Sequence, residues 1–106
     1  MHDIEIYRKF NQILKAKRNL KFRLKNNSSE RFLKIFDYCL TLLDEEYQTI
    51  LKKSYIENDY EFWWVDYYCK SSYYRKRFSA VLAFVQLFEK NYEDINDYSF
   101  NFSSAN

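Results

Sequence analysis

A chain of 106 residues with 47% hydrophobic and 22% aromatic residues has enough apolar side chains for one folded domain and too many for a disordered chain. Glycine and proline are both absent. This removes the residues that most readily make hairpin reversals and sharp helix ends, so β-sheet is not expected. The net charge of +2 hides an uneven distribution of charge along the chain. Residues 1–26 contain eight Lys/Arg and two Asp/Glu, whereas residues 27–62 contain four Lys/Arg and eight Asp/Glu. Residues 63–78 contain four Lys/Arg and one Asp/Glu, whereas residues 79–106 contain one Lys/Arg and four Asp/Glu.

The first predicted helix runs from Asp3 to about residue 25, because apolar residues recur there every three or four positions. Its apolar stripe consists of Ile6, Phe10, Ile13, Leu20 and Leu24. Its opposite face carries the basic residues Arg8, Lys15, Arg18 and Lys25. The polar run 26–29 then predicts the end of this amphipathic helix.

A second helix is predicted to start near Asn27, which can cap free backbone amides while Glu30 reaches back toward them. Its predicted buried residues are Leu33, Phe36, Leu40 and Leu43. The same spacing continues beyond them, so residues 29–57 form either one long helix or two. We favour a break at Asp44, because the acidic run 44–46 suits the first turn of a new helix.

The last part of the chain predicts a short helical segment over 60–68 and a final helix that starts in the Cys69–Ser72 region and ends near residue 90. The predicted buried stripe of this helix is Tyr74, Phe78, Val81, Val85 and Phe88, broadened by Leu82 and Phe84. We therefore expect an all-α domain of four or five helices over residues 1–90. Residues 44–90 would form a helix-turn-helix-like unit, and 91–106 a flexible acidic tail.

Several functions are not expected from this sequence. The only histidine, His2, lies at the terminus, and a chain without glycine cannot form a Gly-rich phosphate loop. The spacing of Cys39 and Cys69 matches no zinc-binding pattern. We therefore expect no enzyme activity, cofactor or metal. No apolar run approaches the ~20 residues that span a bilayer, and no secretory leader is evident, so we expect a cytoplasmic protein.

The strongest functional signal lies at the start of the final helix, where hydroxyl and basic side chains are concentrated. The candidate DNA-binding residues are Lys70, Ser71, Ser72, Arg75, Lys76 and Arg77. A helix that reads the major groove presents its first turns to the bases, where arginine can bond guanine and hydroxyl groups can hold phosphate. We expect duplex DNA as the partner, with supporting phosphate contacts from Arg8, Lys15, Arg18 and Lys25.

The stretch 43–88 resembles the helix-turn-helix of sigma-factor region 4 and of related small phage-type regulators. The matching segments read Leu-Asp-Glu-Glu at 43–46, Tyr-Ile at 55–56, Cys-Lys-Ser-Ser-Tyr-Tyr-Arg-Lys-Arg at 69–77 and Ala-Val-Leu at 80–82. The composition and the Trp63-Trp64 pair also resemble those of small all-helical proteins of mycoplasma-type bacteria. The resemblance implies a regulator of transcription. Trp63 stands where the family has a small residue, so the two helices are expected to be pushed apart.

The aromatic residues around this segment admit two interpretations. Trp63, Trp64, Tyr67, Tyr68, Tyr73 and Tyr74 can stack on unpaired bases, but aromatics at helical spacing usually form a core. If several of them are exposed together, a protein partner explains them better, because Tyr, Trp and Arg dominate interface hot spots. The alternative function is therefore a helical protein-interaction module that binds a second copy or a component of the transcription machinery.

Overall fold

Helices account for the fold in the computed structural model, which describes residues 3–21, 27–57 and 61–95. The α-helices are α1 (Asp3–Lys21), α2 (Asn27–Thr41), α3 (Glu45–Leu51) and α4 (Lys70–Ile95). A π-helical turn (Lys52–Ile56) continues α3, and a short 3-10 helix (Trp63–Asp66) precedes α4. No strand occurs in the ranges described. The prediction of an all-α domain is therefore confirmed.

The core is built around α4, which packs against α1, α2 and α3. Phe84 of α4 is fully buried, and its ring lies 5.7 Å from that of Phe10 on α1 and 4.9 Å from that of Phe36 on α2. One turn later, the Phe88 ring packs on Phe32 of α2 at 5.3 Å. Each of these large rings buries a substantial apolar area, which stabilises the domain.

The buried face of α4 is broader than the predicted stripe. Val81, Val85 and Phe88 are buried as predicted, but Tyr74 is exposed while its neighbour Tyr73 is buried. The prediction for Tyr74 was therefore wrong. Phe84 is also buried as predicted, and because α4 is enclosed by three helices, its buried arc widens further to take in positions 73 and 80.

α2 shows a similar shift of the buried face. Phe36, Leu40 and Leu43 are buried as predicted, and Leu33 is only half-buried. The residues Phe32, Ile35 and Cys39 complete the buried face, and of these Phe32 and Ile35 were not predicted.

The chain breaks between α2 and α3 at the predicted place, so residues 29–57 do not form one helix. The Asp44 side chain makes no capping hydrogen bond at the start of α3. Gln48 closes the turn instead. Its backbone N–H donates to the Asp44 carbonyl at 2.9 Å, and its side-chain amide donates to the Leu43 carbonyl at 2.9 Å.

Two helical segments end at other residues than predicted. α4 continues to Ile95, past the predicted end at residue 90, because Tyr92 is buried and stacks on Phe88 at 5.3 Å. The short segment predicted over 60–68 is helical at 63–66 within its described part, residues 61–68. Leu24, Lys25, the side chain of Asn27 and the tail 96–106 lie outside the described residues.

Candidate nucleic-acid interface at the start of α4

A short helix, a turn and a long helix follow one another at the candidate site. The 3-10 helix closes with the Tyr67 backbone N–H donating to the Trp64 carbonyl at 2.9 Å. Three residues later α4 begins, and the Tyr73 N–H donates to the Cys69 carbonyl at 2.9 Å. Cys69 is thus the residue from which the first turn of α4 is formed.

The first two turns of α4 present polar side chains to solvent. Lys70, Ser71 and Arg75 are exposed, and Ser72 is half-buried. Ser71 and Arg75 are four residues apart and therefore share one face of the helix. The Arg75 guanidinium donates to the Ser72 hydroxyl at 3.3 Å, which holds it over the start of the helix.

Lys76 lies beside this face and links α4 to α3. Its ammonium is 3.4 Å from Oε1 of Glu46, while the Tyr68 hydroxyl donates to Oε2 of the same carboxylate at 2.7 Å. The Tyr68 hydrogen bond, more than Lys76, lowers the pKa of Glu46. Because an exposed ion pair contributes little free energy, Lys76 can exchange Glu46 for a phosphate at small cost.

Arg77 is half-buried, and its side chain packs among aromatic rings. Its guanidinium lies within 6 Å of four tyrosine rings: Tyr74 at 4.7 Å, Tyr7 at 5.6 Å, Tyr73 at 5.7 Å and Tyr55 at 5.8 Å. Its Nε is buried and makes no hydrogen bond within the described residues. We therefore correct the assignment of Arg77 from a DNA contact to a packing residue between α1 and α4.

The charge of Arg77 is retained in this partly buried position. Burial by itself lowers the pKa of the guanidinium, but a hydrogen bond to the Tyr7 hydroxyl and the electrostatic contribution of Tyr55 outweigh it and raise the pKa. The cation therefore stays available for interaction with the faces of the surrounding rings.

The Trp63 indole is held by a hydrogen bond to Ser54, which lies in the π-helical turn. The indole N–H donates to the Ser54 hydroxyl at 3.1 Å, and that hydroxyl also bonds the Tyr73 hydroxyl at 2.6 Å. The Trp63 and Tyr73 rings meet edge to face at 5.9 Å. A π-helical turn can re-aim the side chains that follow α3, and here it brings Ser54 onto this pair.

The aromatic residues fall into a buried set and an exposed set. Trp64 stacks on Tyr73 with ring centroids 4.5 Å apart, and both side chains are buried together with Ile50. By contrast, Tyr67 is 74% exposed and Tyr74 is 40% exposed. The core interpretation therefore accounts for one part of the cluster, and the other part forms surface.

The basic residues of α1 form a second set of exposed cations. Arg8, Lys15 and Arg18 are exposed, and Lys25 lies outside the described residues. Arg8 and Lys15 line an open groove of about 490 Å³ that also includes Tyr7. Because the Tyr7 ring packs on Phe78 of α4 at 5.7 Å, this groove adjoins the α4 surface.

The Cys69 thiol is exposed at the start of α4, and its pKa is lowered to about 7. The largest cause is a hydrogen bond from the backbone N–H of Ser72, followed by bonds from the Ser72 and Ser71 hydroxyls. Cys39 differs, because burial raises the pKa of its thiol to about 11. This contrast between the two cysteines was not predicted, although the Cys-x-Ser-Ser order at a helix start could have signalled it.

The contacts of two other residues of the site were not predicted either. Glu46 was interpreted only as part of an acidic first turn, although it contacts Tyr68 and Lys76. Ser54 carried no signal at all, because its position depends on the π-helical geometry of the turn.

Neither a protein-family model, a curated protein nor a solved structure matches this chain. The described residues contain no group of three or more His, Cys, Asp or Glu side chains placed to hold a metal ion. No helix in the described part of the chain is both long and apolar enough to cross a membrane.

Proposed function

We propose that this protein binds duplex DNA through the start of α4, with Lys70, Ser71, Ser72, Arg75 and Lys76 as the contact residues. One observation carries the proposal: Ser71 and Arg75 share an exposed face at the start of a helix that is packed against α1, α2 and α3. A groove-reading helix needs this combination, because it must protrude and must also be held rigidly.

The proposed contacts divide by chemistry. Lys70 and Lys76 supply cations for phosphate, and the Ser71 and Ser72 hydroxyls donate hydrogen bonds to phosphate oxygens. Arg75 is the candidate for reading a base, because its planar guanidinium can bond the O6 and N7 of guanine together. Sequence preference would therefore depend on Arg75 more than on the lysines.

The exposed cations of α1 would extend the contact along the DNA backbone. Arg8, Lys15 and Arg18 lie on one face of α1, so they can approach successive phosphates without reading bases. The resemblance of residues 43–88 to sigma-factor region 4 supports the same mode of binding. It also supports a role in regulating transcription.

The test is binding to labelled 30-base-pair duplexes of mixed sequence, followed by fluorescence anisotropy at increasing salt concentration. We expect affinity to fall steeply with salt, because phosphate contacts release counterions. Arg75→Ala should weaken binding by about 5- to 100-fold, corresponding to the loss of one base or phosphate contact. Lys70→Ala should weaken binding and flatten the salt dependence.

Arg31→Ala is the matched control, because Arg31 is an equally exposed arginine on α2, away from the site. It should leave the affinity nearly unchanged. Absence of binding at low salt, or equal losses for Arg31→Ala and Arg75→Ala, would contradict the proposal.

A further inference from the structure

A carboxylate from another helix lies within the proposed contact surface. Glu46 is in the first turn of α3, which packs against α4. Its Oε1 lies 3.4 Å from Nζ of Lys76, one of the proposed DNA contacts. Both side chains are partly open to solvent, so a phosphate that reaches Lys76 also approaches Glu46. The free protein therefore presents an anion of its own on a surface proposed to bind a polyanion.

The Tyr68 hydroxyl fixes the position of this carboxylate. It donates to Oε2 of Glu46 at 2.7 Å, while Oε1 is the oxygen next to Lys76. Burial and this bond raise the pKa of Tyr68 to about 12, so the hydroxyl remains a donor. The same bond lowers the pKa of Glu46, so the carboxylate stays charged at neutral pH. Tyr68 thus holds a charged acceptor beside Lys76 when DNA is absent.

Glu46 and a DNA phosphate compete for the same ammonium. To pair with Lys76, the phosphate has to displace Glu46, and the displaced carboxylate repels the phosphate from a short distance. An exposed ion pair contributes only a small free energy. The competition therefore lowers the affinity for DNA without abolishing binding.

We infer that Glu46 restrains DNA binding, because it competes with the DNA backbone for Lys76. This inference rests on the proposed function and adds to it a residue that acts against binding. Recognition surfaces use repulsive groups of this kind to limit attachment to unwanted partners. The carboxylate weakens a phosphate contact, which every DNA sequence offers, and leaves base reading by Arg75 unchanged. Binding to DNA of any sequence is thus weaker than the basic residues alone would give.

The salt dependence of binding separates this competition from a general effect of charge. Each phosphate that a cation neutralises releases counterions and contributes about 0.9 to the slope of log affinity against log salt. When Lys76 leaves Glu46 for a phosphate, the freed carboxylate takes up a cation from solution. This uptake offsets part of the release, so the Lys76 contact contributes less than a full unit to the slope. Removing the charge of Glu46 restores the full contribution.

The test uses the anisotropy measurement and the 30-base-pair duplexes described above, with Glu46→Gln. We expect this variant to bind about two- to fivefold more tightly than the wild type, the range that corresponds to one exposed ion pair. Its salt slope should be steeper by up to about 1. Tyr68→Phe leaves the net charge unchanged and releases the carboxylate from its fixed position, so it should give a smaller gain. Circular dichroism establishes that each variant is folded.

Glu45→Gln is the matched control, because it removes the same charge from the adjacent exposed position of α3. It should leave the affinity and the salt slope nearly unchanged. In a Lys76→Met background, Glu46→Gln should no longer tighten binding, because the competition requires the ammonium.

The outcomes for the inference and for the proposed function can be told apart. If the wild type binds DNA and Glu46→Gln binds no more tightly than Glu45→Gln, the inference is overturned and the proposed function stands. A gain that persists in the Lys76→Met background, or no gain for Tyr68→Phe, also overturns it. Binding by Glu46→Gln but not by the wild type supports the restraint and overturns DNA binding by the native chain. Absence of binding by both proteins overturns the proposed function and the inference together.

Discussion

Arg75 and Arg77 stand two positions apart and have opposite surroundings. Arg75 is exposed, whereas Arg77 lies among the rings of Tyr7, Tyr55, Tyr73 and Tyr74. Successive residues on a helix differ by about 100° in direction, so two positions are enough to turn a side chain from solvent to the interior. The same residue type can therefore serve recognition at one position and packing at the other.

Substitution of the two arginines should separate these roles. Arg77→Ala should lower the free energy of unfolding by about 2–3 kcal/mol, because the cation–π contacts and the packing of the side-chain stem are both lost. Arg75→Ala should change it by less than about 0.5 kcal/mol, as an exposed substitution does. Urea denaturation followed by circular dichroism measures both. Similar losses for the two variants would contradict the packing role of Arg77.

The Cys69 thiol should react with iodoacetamide in the native protein. Its lowered pKa of about 7 means that the thiolate is populated above pH 7 and lost as the pH falls below it. The alkylation rate, followed by mass spectrometry, should therefore rise between pH 6 and 8 and level off above that range. A midpoint near 8.5, the ordinary value for cysteine, would show that the helix start does not stabilise the thiolate.

Cys39 is the internal control for this measurement. It is buried, and its pKa is raised to about 11, so it should remain unlabelled until the protein is denatured. A Cys69→Ser protein should accordingly show no labelling under native conditions.

At the scale of elements, the π-helical turn determines how α3 meets α4. The turn places Ser54 against Trp63 and Tyr73, and it places Tyr55 against Phe10 at 5.0 Å. Ser54 and Tyr55 are consecutive and so point in different directions, which lets the turn contact Trp63 and Tyr73 on one side and α1 on the other. The turn thus connects the aromatic cluster around Trp64 and Tyr73 to the main core.

Ser54→Ala tests this role. It removes the acceptor of the Trp63 indole N–H and the partner of the Tyr73 hydroxyl, so we expect a loss of about 1–3 kcal/mol in the free energy of unfolding. Thr49→Ala is the matched control, because it changes an exposed hydroxyl on α3 and should stay within about 0.5 kcal/mol. Thermal denaturation with tryptophan fluorescence follows both variants. Equal stability of the two would contradict the role of Ser54.

In the molecule as a whole, some of the segregated charges form ion pairs within the fold and others are exposed to solvent. Lys9 of the basic first segment pairs with Glu89 of α4 at 3.0 Å, and Lys76 pairs with Glu46 at 3.4 Å. Arg8, Lys15 and Arg18 remain exposed. A net charge of +2 therefore understates the local positive potential that a polyanion would meet at α1 and at the start of α4.

The aromatic content is also divided at this scale. Most of the phenylalanines in the described core surround Phe84, while Tyr67 and Tyr74 lie on the surface next to the basic face. This proximity follows from the short turn 67–69, which brings the 3-10 helix against the start of α4.

Local patterns along the chain were sufficient to predict the helical class, the break at Asp44 and most of the core residues, because hydrophobic spacing and turn-forming residues act over a few positions. The packing of the helices was needed to establish that Tyr73 is buried and Tyr74 exposed, and that Arg77 points inward and Arg75 outward. These outcomes depend on how α1 and α3 approach α4. Neighbouring residues of a helix point about 100° apart, so a small change in how the helices approach each other changes which of two neighbouring side chains is buried.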